Sequence, residues 1–340
     1  MGAIQERLRE RLGPITTHVP DWKGSGADPL VTALRNAREG DVLGIRGQRR
    51  AIRIGTGDPK HDNSAYWRDV VGFRPIKGVA IVSEDSAPPA TIGGVLIGQA
   101  CGGIDGLTLC GVGLETEPYS AGKSSKFCVL VENSALTGQL RIWGCDLAPA
   151  AGHETDWAGY GMMTGVRAEG QLDGFEMIGC TGWRSQEHEF CYVNNLGWRT
   201  GKPSIISDLS RNPRSPTGGS GRTAVQVVNR ATATTGSTAG PSGKGPLRIE
   251  RVDAFVQGGG GGGAITVAGH LGHVVIKDIR ALCVGPHGGV VVYSDVGHGL
   301  HKNDNGYTTN SLRLENVNVD GGDRPHVAIS GVERLRIAAP

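Results

Sequence analysis

Short alternations of apolar and polar residues recur along most of the chain, and the first kind ends in a turn. Its form is apolar–x–apolar–x–turn residue–apolar. Alternation with a period of two is typical of a β-strand that buries one face. The copies begin at Leu107, Leu140, Phe175, Leu247, Val274 and Leu312, with a weaker copy at Ser204 and a truncated one at residues 335–337.

A second kind has the form apolar–x–apolar–x–small polar residue or glycine. Its copies begin at Val129, Phe190, Val225, Ile265, Val290 and Val327. The two kinds alternate strictly, once each per roughly 25–40 residues, which is the period of solenoid proteins. A coil of two or three such strands cannot bury its inward face alone and must stack on its neighbours.

This alternation predicts an all-β fold, a right-handed parallel β-helix over residues 41–340. Equivalent residues of successive coils then form inward columns. We expect one column to contain Leu140 and Phe175, and a second to contain Val129, Phe190, Val225, Ile265, Val290 and Val327. We expect Asn133, Asn194 and Asn229 to form a ladder at one turn.

The first 40 residues carry helix signals instead. Ile4, Leu8 and Leu12 predict a short amphipathic helix that ends at Gly13. Asp28 and Pro29 are an N-cap and a first helical residue, and they predict a second helix, closed by Gly40. Because a solenoid exposes its first coil unless something covers it, we expect residues 1–40 to be a helical cap.

Composition narrows the classes of partner and compartment. The net charge is +2 and no basic run appears, which argues against nucleic acid. Seven cysteines without a C-x-x-C pair predict neither a disulfide framework nor a zinc site, and we expect no metal and no cofactor. The first 13 residues are charged and hold no apolar run of signal length, so we expect no secretion signal, and no run is long enough to predict a membrane span.

The repeat and its Asn-type turn resemble the pectin-lyase-like β-helix superfamily, over roughly residues 41–340. That superfamily holds pectate lyases, polygalacturonases, many bacteriophage tailspikes and uncharacterised β-helix repeat proteins. The clustered aspartates of pectate lyases and the paired aspartates of polygalacturonases are absent, so no catalytic motif transfers. A fold shared by many functions does not identify one of them.

Three segments at 146–160, 181–188 and 210–222 leave the first kind of repeat and enter the second, so we expect them at one edge of the solenoid. Glycan sites use aromatic faces against sugar rings and charged groups around them. The candidate substrate-binding residues are Trp157, Tyr160, Trp183, Trp198, Arg211 and Arg214. Alternatively, these side chains pack on the solenoid wall.

Candidate catalytic residues are Glu154, Glu187, His188 and Glu189, since two carboxylates can serve as acid and base. Strand alternation places Glu187 and Glu189 on the side opposite His188. The alternative is that they are ordinary charged residues at a strand entry. Asp208 stands where other coils have Gly144 or Gly179, and it is interpreted as a structural turn residue.

One outward column changes character along the chain. It is apolar in early coils and polar or charged in later ones, reading Cys110, Trp143, Ile178, Ser207, Glu250, Lys277 and Glu315. An apolar stripe on a solenoid wall needs a cover. We expect either the long loop at 54–75 or a homotrimer to cover it.

These observations favour a virion-associated structural protein, tailspike-like or a surface decoration, that turns its loop edge toward a polysaccharide or other glycan. It would be assembled in the host cytoplasm, as a homotrimer that contacts other virion proteins. The alternative is a glycoside hydrolase or lyase that uses carboxylates of the 146–222 loops. We expect neither nucleic acid nor membrane as a partner.

Overall fold

Parallel β-strands dominate the computed structural model. The structure describes residues 3–55, 69–72, 76–98, 104–116, 118–119, 123–124, 127–131, 136–148, 164–168, 171–182, 190–194, 201–211, 223–229, 243–257, 263–285, 288–293 and 309–338. Within these residues, successive parallel strands belong in turn to three sheets, here called sheets A, B and C. This is consistent with the parallel solenoid that the alternation predicts.

Sheet A holds the first kind of repeat. Its strands pair in parallel, from the amino-terminal end to the carboxyl-terminal end. They are Thr17–His18, Val42–Ile45, Ile76–Lys77, Ala80–Ser83, Ile104–Asp105, Leu107–Cys110, Leu136–Trp143, Gln171–Ile178, Ser204–Arg211, Leu247–Gln257, His273–Val284, Thr309–Gly321 and Val332–Ala338.

Sheet B lies after the turn that ends each repeat of sheet A. Its short strands are Gln48–Arg49, Thr91–Ile92, Gly113–Glu115, Asp146–Ala148 and Thr181–Gly182. Strand Ser204–Arg211 pairs with both sheets, because it runs through the turn without a break. From that coil onward, single long strands replace the pair of short ones.

Sheet C holds the second kind of repeat. Its strands are Ile52–Ile54, Asp69–Gly72, Val95–Ile97, Phe127–Val131, Thr164–Ala168, Cys191–Asn194, Val225–Val228, Gly263–Ala268, Gly288–Tyr293 and Val327–Ser330. Strands Pro118–Tyr119 and Lys123–Ser124 form a separate antiparallel pair.

The inward column of sheet A follows the predicted register. Leu107, Leu140, Phe175, Ser204, Leu247, Val274, Leu312 and Leu335 are successive register partners. Phe175 stands opposite Ser204, because the next residues of the two strands, Glu176 and Ile205, are register partners. All but the last are buried, so stacking supplies the core that one coil lacks.

The inward column of sheet C corrects the sequence prediction at one coil. Cys191, not Phe190, pairs with Val166 and Val225. Strand Thr164–Ala168 belongs to a coil that the sequence repeat did not predict. The small thiol fits between two valines, while the Phe190 ring occupies the space left beside Gly182. A slip of one residue exchanges the two faces of a strand, so Tyr192 points outward.

The amide ladder also differs from the prediction at its described member. Asn133 lies outside the described residues, and so does the side chain of Asn194. The amide of Asn229 pairs with His270 on the next coil, at 2.7 Å from Nδ2 to Nδ1.

The turn between sheets A and B is built on left-handed backbone. Gly111, Gly144 and Gly179 have φ of 64°, 59° and 68° there, and Asp208 has 55°. Aspartate tolerates this region better than most residues. The structural interpretation of Asp208 is confirmed.

Two helices precede the coils, and they pack on different surfaces. Helix α2, Pro29–Asn36, has Asp28 as its N-cap and buries Leu30, Val31 and Leu34 in the interior cluster. It therefore covers the first coil, although it ends at Asn36 rather than at Gly40. Helix α1, Ala3–Glu10, lies elsewhere, on the outer wall of sheet A. Neither described helix is long and apolar enough to cross a membrane.

Candidate functional site

The three predicted loop segments start from neighbouring positions. Asp146 pairs with Thr181, and Thr181 pairs with Ser210, so the first residues of the three segments are register partners on successive coils. These first residues belong to sheet B strands rather than to loops. The segments therefore leave the solenoid at one edge, one coil apart, about 4.8 Å from each other.

The same segments return to the solenoid together. Strands Thr164–Ala168, Cys191–Asn194 and Val225–Val228 follow them, and these three strands are neighbours in sheet C. We call this place the corner: the junction of sheets B and C between residues 113 and 228. Its described ends are fixed by the parallel ladders on both sides.

The predicted site residues lie almost entirely between those ends. Arg211 ends a strand and pairs with Gly182 in sheet B. The other predicted residues lie outside the described residues: Glu154, Glu187, His188, Glu189, Trp157, Tyr160, Trp183, Trp198 and Arg214. The structure thus describes the positions that carry the loops, and the roles of these residues stay predictions.

A carboxyl pair at the corner was missed by the sequence reasoning. Leu114 and Leu147 point into the core, so the alternate positions Glu115 and Asp146 lie on the outer face of sheet B. Burial raises the pKa of Glu115, and the nearby charge of Asp146 raises it further. Thr181 donates a hydrogen bond to Asp146, at 2.7 Å from Oγ1 to Oδ1.

The two carboxyl groups have unlike surroundings. A carboxyl group with a raised pKa, such as that of Glu115, holds its proton nearer to neutral pH, whereas Asp146 accepts a hydrogen bond from Thr181. Asp146 begins the first of the three segments, and the strand that holds Glu115 lies beside it in sheet B. The sequence offered one signal for this site: the repeat places Asp146, Thr181 and Ser210 at the same position of successive coils.

Aromatic side chains line the outer face of sheet C at the same corner. Leu130, Arg167, Tyr192 and Gln226 are successive register partners there. The Arg167 guanidinium lies 5.2 Å from the centre of the Tyr192 ring and 5.6 Å from that of Phe127. Such stacking holds the guanidinium and the rings in fixed positions.

Helix α1 covers the described part of the apolar stripe on sheet A. That part therefore needs neither the loop at 54–75 nor a homotrimer to cover it. Leu8 packs in one buried cluster with Val42, Val82, Cys110 and Trp143, and Ile4, Leu12 and Ile178 border that cluster. Residues 56–68 and 73–75 of the expected covering loop lie outside the described residues. The helix has the right period, because its apolar residues recur every fourth position.

Polar contacts fix α1 on that stripe. Gln5 Nε2 donates to the carbonyl of Gly144 at 2.6 Å, and Arg9 donates to the carbonyl of Ser83 at 2.9 Å. The Arg11 guanidinium lies 4.5 Å from the Trp143 ring centre. Trp143 is therefore part of a packed interface.

The six described cysteines are buried thiols. Among the described residues, no group of three or more histidine, cysteine, aspartate or glutamate side chains is placed to hold a metal ion. No family model, no curated protein and no solved structure matches the chain.

Proposed function

We propose that the chain is a right-handed parallel β-helix of the pectin-lyase-like kind that binds glycan through the loops of its corner. The observation that carries this proposal is the alignment of the loop ends, with Asp146, Thr181 and Ser210 as register partners. Loops that start and finish on successive coils can present side chains along one line, as an extended sugar chain requires.

The composition of those segments supports a glycan. They hold Trp157, Tyr160 and Trp183 in a chain with only 5% aromatic residues. Tyr192 and Arg167 add an aromatic and cationic wall at the described edge. Sugar rings present apolar faces to aromatic rings and hydroxyl groups to charged side chains.

A binding experiment with matched tryptophan variants tests this proposal. Wild type is screened on an array of bacterial capsular, lipopolysaccharide and plant polysaccharides, and the best ligand is titrated by calorimetry. We expect Trp157→Ala and Trp183→Ala to weaken binding at least tenfold, since each removes a stacking face. Trp22→Ala is the control, because Trp22 lies in the amino-terminal segment beside Arg50. An equal loss in all three variants, or no ligand on the array, contradicts the proposal.

A second candidate function is cleavage of the same glycan, and the Glu115–Asp146 pair favours it. Glycoside hydrolysis needs one carboxyl group that gives a proton and one that is ionised. The raised pKa of Glu115 suits the group that gives the proton, and Asp146 is the second carboxyl group near it. A lyase would use a base at the same place.

Product analysis tests the second function. Reducing ends without unsaturated products indicate a hydrolase, and both together indicate a lyase. We expect Glu115→Gln and Asp146→Asn to lower kcat at least a hundredfold, and Asp105→Asn, an exposed control, to leave it unchanged. Glu154→Gln and Glu187→Gln test the loop carboxylates in parallel. Full activity in Glu115→Gln rules out the described pair.

We also propose a tailspike-like role on a virion, as a homotrimer assembled in the host cytoplasm with other virion proteins as partners. Helix α1 already covers the described stripe of sheet A, so a trimer would use another surface. Light scattering on the purified chain measures its mass directly. A trimeric mass supports the proposal, and a monodisperse monomer contradicts it.

A further inference from the structure

An open groove of about 530 Å³ runs beside α1 on the outer wall of sheet A. It lies where the helix begins and the apolar stripe gives way to charged coils. Its walls come from both sides, from the helix and from the strands of the coils that follow Ile178. A volume of this size is within the range of small-molecule sites.

The floor of the groove is apolar. Ile4 from the helix and Ile178 and Ile205 from sheet A line it, and each is half-buried. These side chains therefore keep apolar area that the helix does not cover. A ligand that fills the groove gains by removing that area from water.

The rim of the groove is cationic. Four arginines face two carboxylates there, which leaves a formal excess of two positive charges; the residues are Arg7, Arg11, Arg248 and Arg251 against Asp208 and Glu250. Both carboxylates are already satisfied within the wall. Arg251 donates to Asp208 at 2.6 and 2.8 Å, and Arg248 donates to Glu250 at 2.7 and 2.9 Å.

The excess charge resides on the two arginines of the helix side. Arg7 donates to the carbonyl of Ala3, and Arg11 stacks on Trp143, and neither forms an ion pair among the described residues. A stacked guanidinium keeps the N–H groups at its edge available to an anion. Guanidinium groups bind carboxylates with two parallel hydrogen bonds.

We propose that this groove binds a small organic anion with an apolar body, such as an alkyl carboxylate. The anionic group lies between Arg7 and Arg11, and the apolar body lies along Ile4, Ile178 and Ile205. This site is separate from the corner, so it stands or falls independently of glycan binding. It also places a ligand against the helix that covers the stripe.

Calorimetry with octanoate tests the site, with acetate and octan-1-ol as probes that keep only the charge or only the chain. We expect octanoate to bind at least tenfold more tightly than either. We expect Arg7→Gln to weaken octanoate binding about fivefold or more, while Arg38→Gln, an equal charge change on an exposed arginine outside the groove, stays within twofold. We expect Ile205→Thr to reduce the preference for octanoate over acetate.

Three results would overturn the site. One is octanoate that binds no more tightly than acetate, which leaves charge alone. Another is the same affinity in Arg7→Gln and Arg38→Gln. The third is binding to phosphatidylglycerol vesicles without binding of free octanoate, which indicates attraction to a lipid surface instead. Arg7 is exposed and bonds only within its own helix, so its variant keeps the fold.

Discussion

His270 is a buried histidine whose protonation is tied to the fold. It is fully buried, and its Nε2 donates to the carbonyl of Gly245 at 2.7 Å. Its Nδ1 then accepts from the Asn229 amide, also at 2.7 Å. Burial lowers the pKa of His270 to about 4; the hydrogen bond to Gly245 acts against this shift, and the charge of His273 adds a smaller part to it. A proton on Nδ1 would have to displace the amide donor.

We expect His270 to make the protein less stable in acid. The unfolded histidine has a pKa near 6.5, so the unfolded chain takes up a proton first as the pH falls. Stability is therefore complete above about pH 6.5, is lost as the pH falls, and reaches its full loss below about pH 4. The loss at pH 4.5 is on the order of 2 kcal/mol.

Urea unfolding at pH 7.5 and 4.5 measures this loss. His270→Gln removes the titrating group, so the difference in unfolding free energy between the two pH values should shrink by about that amount. His326→Gln, an exposed histidine that does not act on His270, is the control. An unchanged pH dependence in His270→Gln contradicts the assignment.

Helix α1 acts at the scale of an element, because it closes a surface that the coils leave open. The stripe from Val42 to Trp143 belongs to the outer face of sheet A, and Leu8 packs into its centre. The strand Thr17–His18 then adds one more rung before α2 covers the interior. The segment predicted as one cap, residues 1–40, thus has two parts: α1 covers the outer wall of sheet A, and α2 covers the interior at the first coil.

We expect Leu8→Glu to release α1 and to make the protein associate. A buried carboxylate against Trp143 is unfavourable, and the uncovered stripe is an apolar patch of the kind that drives association. Light scattering across a dilution series should show a mass that rises with concentration. Glu6→Ala, an exposed position on the same helix, should keep the mass of wild type. No change of mass in Leu8→Glu would mean that other residues cover the stripe.

At the scale of the whole molecule, burial in the inward columns changes along the stack. Helix α2 buries its leucines against the first coil. The last described rung leaves Leu335 50% exposed and Ile337 61% exposed. Ile337 stands in the same column as Ile276, which is fully buried two rungs earlier. Position in the stack, not residue type, decides what each isoleucine contributes.

We expect identical substitutions in that column to differ in cost. Ile276→Ala should lower the unfolding free energy by about 2 to 5 kcal/mol, because it opens a cavity in a closed core. Ile337→Ala should cost less than about 1 kcal/mol, since most of its side chain is already in water. Chemical denaturation of both variants measures the difference. Equal costs would mean that the last rung is covered in solution.

From Leu107 onward, the sequence by itself determined the repeat strands, the turn and the register of sheet A. Period-two alternation decides which side chains point inward, and a glycine or Asp208 in the turn decides where the chain bends. These are local properties, so one sequence suffices. The register partners at Asp146, Thr181 and Ser210 follow from the same repeat.

Only the tertiary structure decided what covers the stripe, which residue fills the column at Cys191, and which neighbouring strand places the charge of Asp146 near Glu115. Each depends on a contact between distant parts of the chain: α1 with sheet A, the Phe190 ring with Gly182, and one sheet B strand with the next. Alternation is blind to these contacts, because a slip of one residue or a helix laid across a wall leaves the local pattern intact.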